Sequence, residues 1–342
     1  MPTRLRVASC AAILLLSAAS ARANDGFAGV AGAEITFSTT DAVTMAEEDL
    51  FISEEEVRVA YVFRNDSGAD VSGTVAFPMP AIPAAVGGWG SDFGLDLGQL
   101  DEPNFMGFTV LANGQPVTPD VTIRAFRTSE DELYRGSSGI FAQTGARGPD
   151  VTDTLTRAGL PLTVKFDALS AALGTLSPAA RQKLVKQGLL AENPDGPMPL
   201  WSIAIVFSWS QDFPAGQEVR LSHRYKPING AFVFGIYPEL RETYCIDAGT
   251  EKGIRRLAGG TGDDNLAGLV GYTIDYVLTT ANTWAGPIGK FRLTVDKGAP
   301  ANILSLCADG ITKVGPTTFV LEKTDYTPDR ELQILIVKKM AN

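Results

Sequence analysis

The clearest pattern in the sequence lies at residues 57–64, which read Val57-Arg58-Val59-Ala60-Tyr61-Val62-Phe63-Arg64. Its odd-numbered side chains are all large and apolar. Successive side chains of a β-strand point to opposite faces, so this alternation predicts a strand with one buried face. Residues 65–68 then predict a turn, and the alternation resumes through residues 71–77 and stops at Pro78-Met79-Pro80. The stretch therefore predicts a β-hairpin.

The same alternation recurs along the rest of the chain. Residues 201–209 carry a bulky apolar side chain at every odd position, and residues 219–226 have the pattern of the answering strand. The dipeptide Asn113-Gly114 favours a two-residue hairpin turn. Strand-length segments continue through the C-terminal third, at residues 272–278, 291–295, 318–321 and 332–337. These patterns predict a mostly β protein of antiparallel β-sandwich architecture.

One segment changes to a helical period. Phe166, Leu169 and Leu173 would share one face of a helix, and Ser177-Pro178 is typical of the start of a second helix. We therefore expect a small helical insertion at about residues 165–191.

The chain of 342 residues is long for a single sandwich and suits two β domains. Turn-forming residues between Pro227 and Gly230 favour a boundary there. We expect a β-sandwich domain at residues 24–228, which contains the helical insertion, and a C-terminal β domain at residues 229–342.

The first 23 residues have the three parts of a secretion signal. Residues 1–6 are basic, residues 11–16 are apolar, and Ala21-Arg22-Ala23 fits a small-x-small cleavage site. The apolar run is too short to span a membrane, and no later segment is long and apolar enough to do so. We expect cleavage after Ala23 and a periplasmic location, with release to the outside as the alternative.

Charge limits the partners that the chain can bind. Cleavage would remove three arginines and no acid, which changes the formal net charge from −10 to −13. A surface of this charge repels phosphate backbones and anionic lipids. We therefore expect neither nucleic-acid nor membrane-surface binding.

The chain has three cysteines. Cys10 precedes the apolar part of the signal, whereas a lipidation cysteine follows it, so Cys10 is expected to leave with the signal. In an oxidising compartment, Cys245 and Cys307 are then expected to form a disulfide. Two buried free thiols are the alternative.

The sequence offers no constellation for catalysis. The only histidine, His223, lies on the apolar face of its strand, opposite to Ser222, which favours a core histidine over a general base. No nucleophile elbow of the Gly-x-Ser-x-Gly kind occurs. We predict no catalytic residues, no metal site and no cofactor.

Calcium is the metal that the acidic segments could bind. Residues 259–267 fit a single calcium-binding nonapeptide, but such repeats bind ions between stacked copies. A flexible acidic turn is therefore favoured over calcium at Asp263 and Asp264. The acidic runs at residues 47–49 and 54–56 are interpreted as a solvated strand edge.

Two tryptophans stand in loops rich in glycine or proline. Trp89 follows Gly87-Gly88, and Trp284 precedes Gly286-Pro287. Exposed tryptophans can stack on sugars or anchor a partner, so Trp89 and Trp284 are the candidate ligand-binding residues. The alternative is that both pack as loop anchors.

Several segments together carry a family resemblance: residues 45–53, 75–80, 213–216, 223–227, 244–245 and 284–291. They resemble an uncharacterised family of secreted bacterial proteins known only as a domain of unknown function. This resemblance implies an exported, periplasmic protein and assigns no activity. A weaker resemblance, through residues 77–80 and 106–110, is to the sandwich module at the front of inter-alpha-trypsin inhibitor heavy chains, which would imply protein interaction.

These observations favour an exported, non-catalytic protein that binds an envelope protein or glycan. The alternative is an envelope hydrolase that cleaves glycan through paired carboxylates. Binding predicts an exposed apolar or aromatic patch, whereas hydrolysis predicts a deep cleft with two facing acids.

Overall fold

A computed structural model describes residues 26–31, 34–84, 102–129, 148–194, 196–259, 266 and 268–340. The predicted signal, Trp89, Asp263 and Asp264 lie outside these residues. Within them, strands dominate and most pairings are antiparallel, which confirms the predicted β-rich fold with a small helical part. None of the helices in this part of the chain is long and apolar enough to cross a membrane.

In chain order, the strands are β1 (Gly26–Ala31), β2 (Glu34–Phe37), β3 (Val43–Ile52), β4 (Val57–Asn65), β5 (Val71–Pro78), β6 (Ile82–Pro83), β7 (Thr109–Ala112), β8 (Gln115–Val117), β9 (Asp120–Arg127), β10 (Leu190–Ala191), β11 (Met198–Pro199), β12 (Trp201–Phe213), β13 (Glu218–Tyr225), β14 (Asn229–Val233), β15 (Leu269–Tyr276), β16 (Ile288–Asp296), β17 (Ile303–Leu306), β18 (Thr312–Lys313), β19 (Thr318–Tyr326) and β20 (Leu332–Lys339). The helices are α1 (Thr152–Arg157), α2 (Phe166–Gly174), α3 (Pro178–Lys186), α4 (Pro238–Tyr244) and α5 (Ala248–Ala258), with a 3-10 helix at Thr279–Thr283.

The strands form three main sheets and one short pair, β10 with β11. The largest has the order β18-β19-β16-β3-β4-β13-β7-β8, in which only β3 and β16 are parallel. A six-stranded sheet has the order β2-β1-β5-β12-β6, with β9 also paired to β12, and a four-stranded sheet has the order β14-β15-β20-β17. The predicted turn at Asn113-Gly114 joins β7 to β8, and both residues have positive φ, at 50° and 78°.

The inner face of the eight-stranded sheet is buried under the other two sheets. The Tyr61 hydroxyl lies 3.0 Å from that of Tyr276 on β15. Phe63 packs against Phe213 of β12, with ring centroids 5.9 Å apart. One core cluster contains side chains from all three sheets, so burial of this apolar surface stabilises them together.

Strands from both sides of the predicted domain boundary share the eight-stranded sheet. β3, β4 and β13 precede residue 228, whereas β16, β18 and β19 follow it. The predicted boundary between residues 228 and 229 therefore does not separate two sheets.

A β-bulge at Ala46 decides which acids of residues 47–49 face solvent. Met45 pairs with Phe63 and Glu47 pairs with the adjacent Val62, so Ala46 is the extra residue. After the bulge the even-numbered residues are buried, and Glu48 points inward with 1% exposure. Glu47 and Asp49 consequently lie on the outer face.

Gly289 lets β16 pass close to this bulge. A Cβ atom at position 289 would lie 2.6 Å from the carbonyl oxygen of Ala46, which is closer than two such atoms can approach. Glycine is therefore required where the two strands meet.

Four of the five α-helices in the described residues lie in two groups. Helices α2 and α3 form the predicted insertion, and the side chain of Ser177 caps α3 by accepting a hydrogen bond from the Ala180 amide. Helices α4 and α5, which the sequence did not predict, pack on the four-stranded sheet through a second core cluster. The predicted disulfide between Cys245 and Cys307 is present and joins the end of α4 to the end of β17.

Asp275 on β15 is an enclosed acid near Tyr244 of α4. Its Oδ1 atom is buried and accepts no hydrogen bond from the described residues. Burial raises the pKa of Asp275 well above its usual value. The folded state therefore holds this proton more tightly than the unfolded state does, and the free energy of unfolding falls as pH rises above about 4.

We expect Asp275→Asn to remove this pH-dependent cost. The variant should exceed the wild type in unfolding free energy by more at about pH 7 than at about pH 3, because only the wild type carries the cost of ionising a buried carboxyl. Chemical denaturation at both pH values measures the gain. A stability difference that is the same at the two pH values would show that the carboxyl ionises freely.

Candidate functional site

The outer face of the eight-stranded sheet carries side chains in aligned rows. A central row crosses the sheet, and it consists of Glu322, Arg292, Asp49, Ala60, Ser222, Leu111 and Pro116. Each residue is the direct cross-strand neighbour of the next, so the row brings together positions that are far apart in the chain.

Two further rows flank the central row, each two residues away along the strands. The first, the lysine row, consists of Thr324, Lys290, Glu47, Val62 and Arg220. The second, the arginine row, consists of Val320, Thr294, Phe51, Arg58, Arg224 and Thr109.

Short side chains make this face concave. Ala60 and Ser222 lie in the middle of the central row, and the longer charged side chains stand on either side of them. One groove of about 580 Å³ lies towards the lysine row, and another of about 940 Å³ lies towards the arginine row. Both are lined by Asp49, Ala60, Ser222 and Arg292, so they form one continuous depression, which we call the trough. Its volume suits a small molecule.

Ion pairs occupy two of the acids on this face, Glu47 and Glu322. The Lys290 ammonium lies 2.8 Å from a Glu47 carboxylate oxygen, which raises the pKa of Lys290. The Arg292 guanidinium lies 2.6 Å from Glu322. Exposed pairs of this kind add little to stability.

The arginine row has a different charge balance. Arg58 and Arg224 are cross-strand neighbours, and both contact the same carboxylate, Glu56. The Arg58–Glu56 distance is 2.7 Å, and the Arg58 guanidinium also lies 4.4 Å above the Phe51 ring. Two cations thus share one acid. In the lysine row each cation has its own acid, since Lys290 pairs with Glu47 and Arg220 pairs with Glu218. The trough is therefore polarised, with its positive end at the arginine row.

An apolar wall adjoins this positive end. The β7–β8 hairpin contributes Leu111 and Pro116 to the larger groove, and Leu111 is 38% exposed. Pro119 extends the wall past β8. Apolar and cationic groups therefore line the same groove.

The structure corrects the expectation that Trp284 is exposed to a ligand. Trp284 is only 3% exposed and packs in a ring cluster with Phe63, Phe213 and Phe27, at centroid distances of 4.3, 5.6 and 5.8 Å. An enclosed ring cannot stack on a ligand at the surface, so Trp284 acts as a loop anchor. The other candidate, Trp89, lies outside the described residues.

His223 is buried in the core, at 3% exposure. It lies among the rings of Tyr61, Phe77, Phe108 and Trp209, with centroid distances between 5.2 and 5.6 Å. Its position matches that of a core histidine and does not expose the imidazole to substrate.

The acidic runs do not converge on a metal site. Glu47 and Asp49 face outward, Glu48 faces the core, and Glu54 pairs with Lys338 of β20. Within the described part of the chain, no group of three or more His, Cys, Asp or Glu side chains could hold a metal ion.

Sequence reasoning missed the residues that line the trough. Arg58, Arg224 and Arg292 alternate with buried residues, so their outward direction was readable from the sequence. Which strands are neighbours was not readable, and only the neighbouring strands bring these arginines to one surface.

The fold and the trough define a class: a β-rich protein with an open, charged, ligand-sized depression on one sheet. The chain belongs to the family described as Domain of unknown function (DUF4424), whose model matches residues 23–335. This confirms the expected membership of an uncharacterised family. A search of curated proteins found no match.

Among solved structures, the chain is similar to one described as a "putative nutrient binding protein" from Legionella pneumophila subsp. pneumophila str. Philadelphia 1. The two chains are 16% identical, with a TM-score of 0.41, and the similarity covers 88% of this chain and 68% of the other.

Proposed function

We propose that the protein is an exported, non-catalytic binding protein of the bacterial cell envelope, located in the periplasm, and that the trough is its binding site. The observation that carries the proposal is the floor made by Ala60 and Ser222 between rows of charged side chains. Each of the two grooves has a volume in the range of small-molecule sites.

Two features support export. Residues 1–23 have the composition of a cleavable signal, and the disulfide between Cys245 and Cys307 is of the kind that persists in oxidising compartments. Both favour the periplasm over the cytosol.

The trough supports binding more than hydrolysis. It is an open depression, and two of its acids, Glu47 and Glu322, are paired with Lys290 and Arg292. A glycosidase pair needs one acid that holds a proton, and a neighbouring cation works against protonation.

Native mass spectrometry on protein recovered gently from the envelope fraction tests the proposal. We expect a bound, non-covalent partner that is released unchanged on denaturation. Incubation with purified envelope glycan should leave that polymer intact. Release of soluble glycan fragments by the wild type would support the hydrolase alternative and contradict the proposal.

A further inference from the structure

We propose that the arginine row is an anion-binding subsite, and that the trough takes a small organic anion with an apolar body. This inference rests on the proposed function, because it names the ligand class of the same trough.

The first step of the argument is the charge balance. Arg58 and Arg224 share Glu56 as their ion-pair partner among the described residues. Each guanidinium group has five N–H donors, and one carboxylate that contacts two such groups cannot accept hydrogen bonds from all of these donors. The side chains of Arg58 and Arg224 are 54% and 73% exposed, so their remaining donors can reach a ligand.

The second step is the positioning of Arg58. Its guanidinium group is held between the Glu56 carboxylate and the Phe51 ring, which lies on the neighbouring strand β3. A side chain that is already held loses little rotamer freedom when an anion binds. Arg58 is therefore preorganised, and Arg224 stands directly beside it on β13.

The third step is the apolar wall of the same groove. Leu111, Pro116 and Pro119 lie along one side of it, and Phe51 lies on the arginine row. A ligand whose anionic group meets Arg58 and Arg224 could bury an apolar body against this wall. Apolar burial provides affinity, and the paired arginines provide orientation.

The central row sets the limit on ligand charge. Asp49 lines the groove from the central row. Among the described residues, no cationic side chain lies within 4.0 Å of its carboxylate. A second anionic group on the ligand would meet this carboxylate and be repelled. The geometry therefore favours a ligand with one anionic group, which a carboxylate or a phosphate monoester can supply.

Isothermal titration calorimetry with matched probes tests the inference. Phenylbutyrate, phenylbutanol and phenylbutylamine share one apolar body and differ in their head group, and phenylbutyl phosphate adds the phosphate arm on the same body. We expect an anionic probe to bind the wild type at least about tenfold more tightly than the alcohol or the amine. Whether phenylbutyrate or phenylbutyl phosphate binds more tightly identifies the anion.

Variants locate the subsite. Arg224→Gln should weaken binding of the anionic probe by about tenfold. Arg157→Gln is the matched control, because Arg157 is a similarly exposed arginine on α1, outside the trough. It should bind as the wild type does. Thermal unfolding of both variants confirms that they are folded.

The outcomes separate this inference from the proposed function. Equal binding of all three head groups, or unchanged binding by Arg224→Gln, would overturn the anion subsite. A different result would leave the proposed function standing. In that case no anionic probe binds the wild type, but Ala60→Trp, which blocks the trough, still loses the native partner. The proposed ligand class would then be wrong. If an anionic probe binds Ala60→Trp as well as the wild type, the anion site lies elsewhere.

Discussion

Replacing Trp284 by alanine should lower the free energy of unfolding by about 3–5 kcal/mol. The indole packs against Phe63 of β4, Phe213 of β12 and Phe27 of β1, and thus joins the eight-stranded and six-stranded sheets. Its removal would leave a cavity between rigid rings that cannot close around it.

Chemical denaturation followed by circular dichroism measures this loss. Tyr237→Ala is a suitable control, because Tyr237 is an aromatic residue that is 54% exposed, and its removal should change stability by about 0.5 kcal/mol or less. A Trp284→Ala variant as stable as this control would mean that the ring lies at the surface, as a ligand-binding tryptophan would.

The double variant Cys245→Ser, Cys307→Ser should be less stable than the wild type by about 4 kcal/mol. The two cysteines are 62 residues apart in the sequence, so their bond restricts a long loop in the unfolded chain. That loop contains α5, β15, β16 and β17, which include part of the second core cluster and the strand that pairs in parallel with β3.

Denaturant midpoints of the oxidised wild type, the reduced wild type and the double variant measure this effect. The last two should agree with each other and fall well below the first. Two free thiols in the unreduced, denatured wild type, or equal midpoints for all three samples, would contradict the disulfide's role.

The sequence predicted the buried face of most strands, but not their neighbours. Val57, Val59, Tyr61 and Phe63 are all buried, as the alternation at residues 57–64 indicated. The parallel pairing of β3 with β16 joins residues such as Glu47 and Lys290, which are 243 positions apart. Hydrophobic alternation specifies a face, and it says nothing about which strand lies alongside.

The same limit explains why the domain boundary did not separate two sheets. Residues 226–228 lie between β13 and β14, where the chain leaves one sheet for another. In the eight-stranded sheet β16 pairs with β3, and β19 pairs with β16. These pairings depend on long-range packing, which local turn signals do not report. Helices α4 and α5 had only short local signals, Pro238 at the start of one and the Asp247 cap of the other.

The candidate site could not be predicted from the sequence, for a related reason. The bulge at Ala46 reverses the alternation of β3, and it places Glu47 and Asp49 on the outer face and Glu48 in the core. Without knowledge of the bulge, the three consecutive acids at residues 47–49 are interpreted as a solvated strand edge. The arginines of β4, β13 and β16 then become a site only through the register of the sheet.

The most direct test of the trough as the binding site is native mass spectrometry of Ala60→Trp recovered from the envelope. Ala60 is an exposed strand residue on the floor of the trough, where a large aromatic side chain fits the strand but fills the depression. We expect the wild type to retain a non-covalent partner and the folded Ala60→Trp variant to lose it. A folded variant that carries the same partner at the same occupancy would contradict the account.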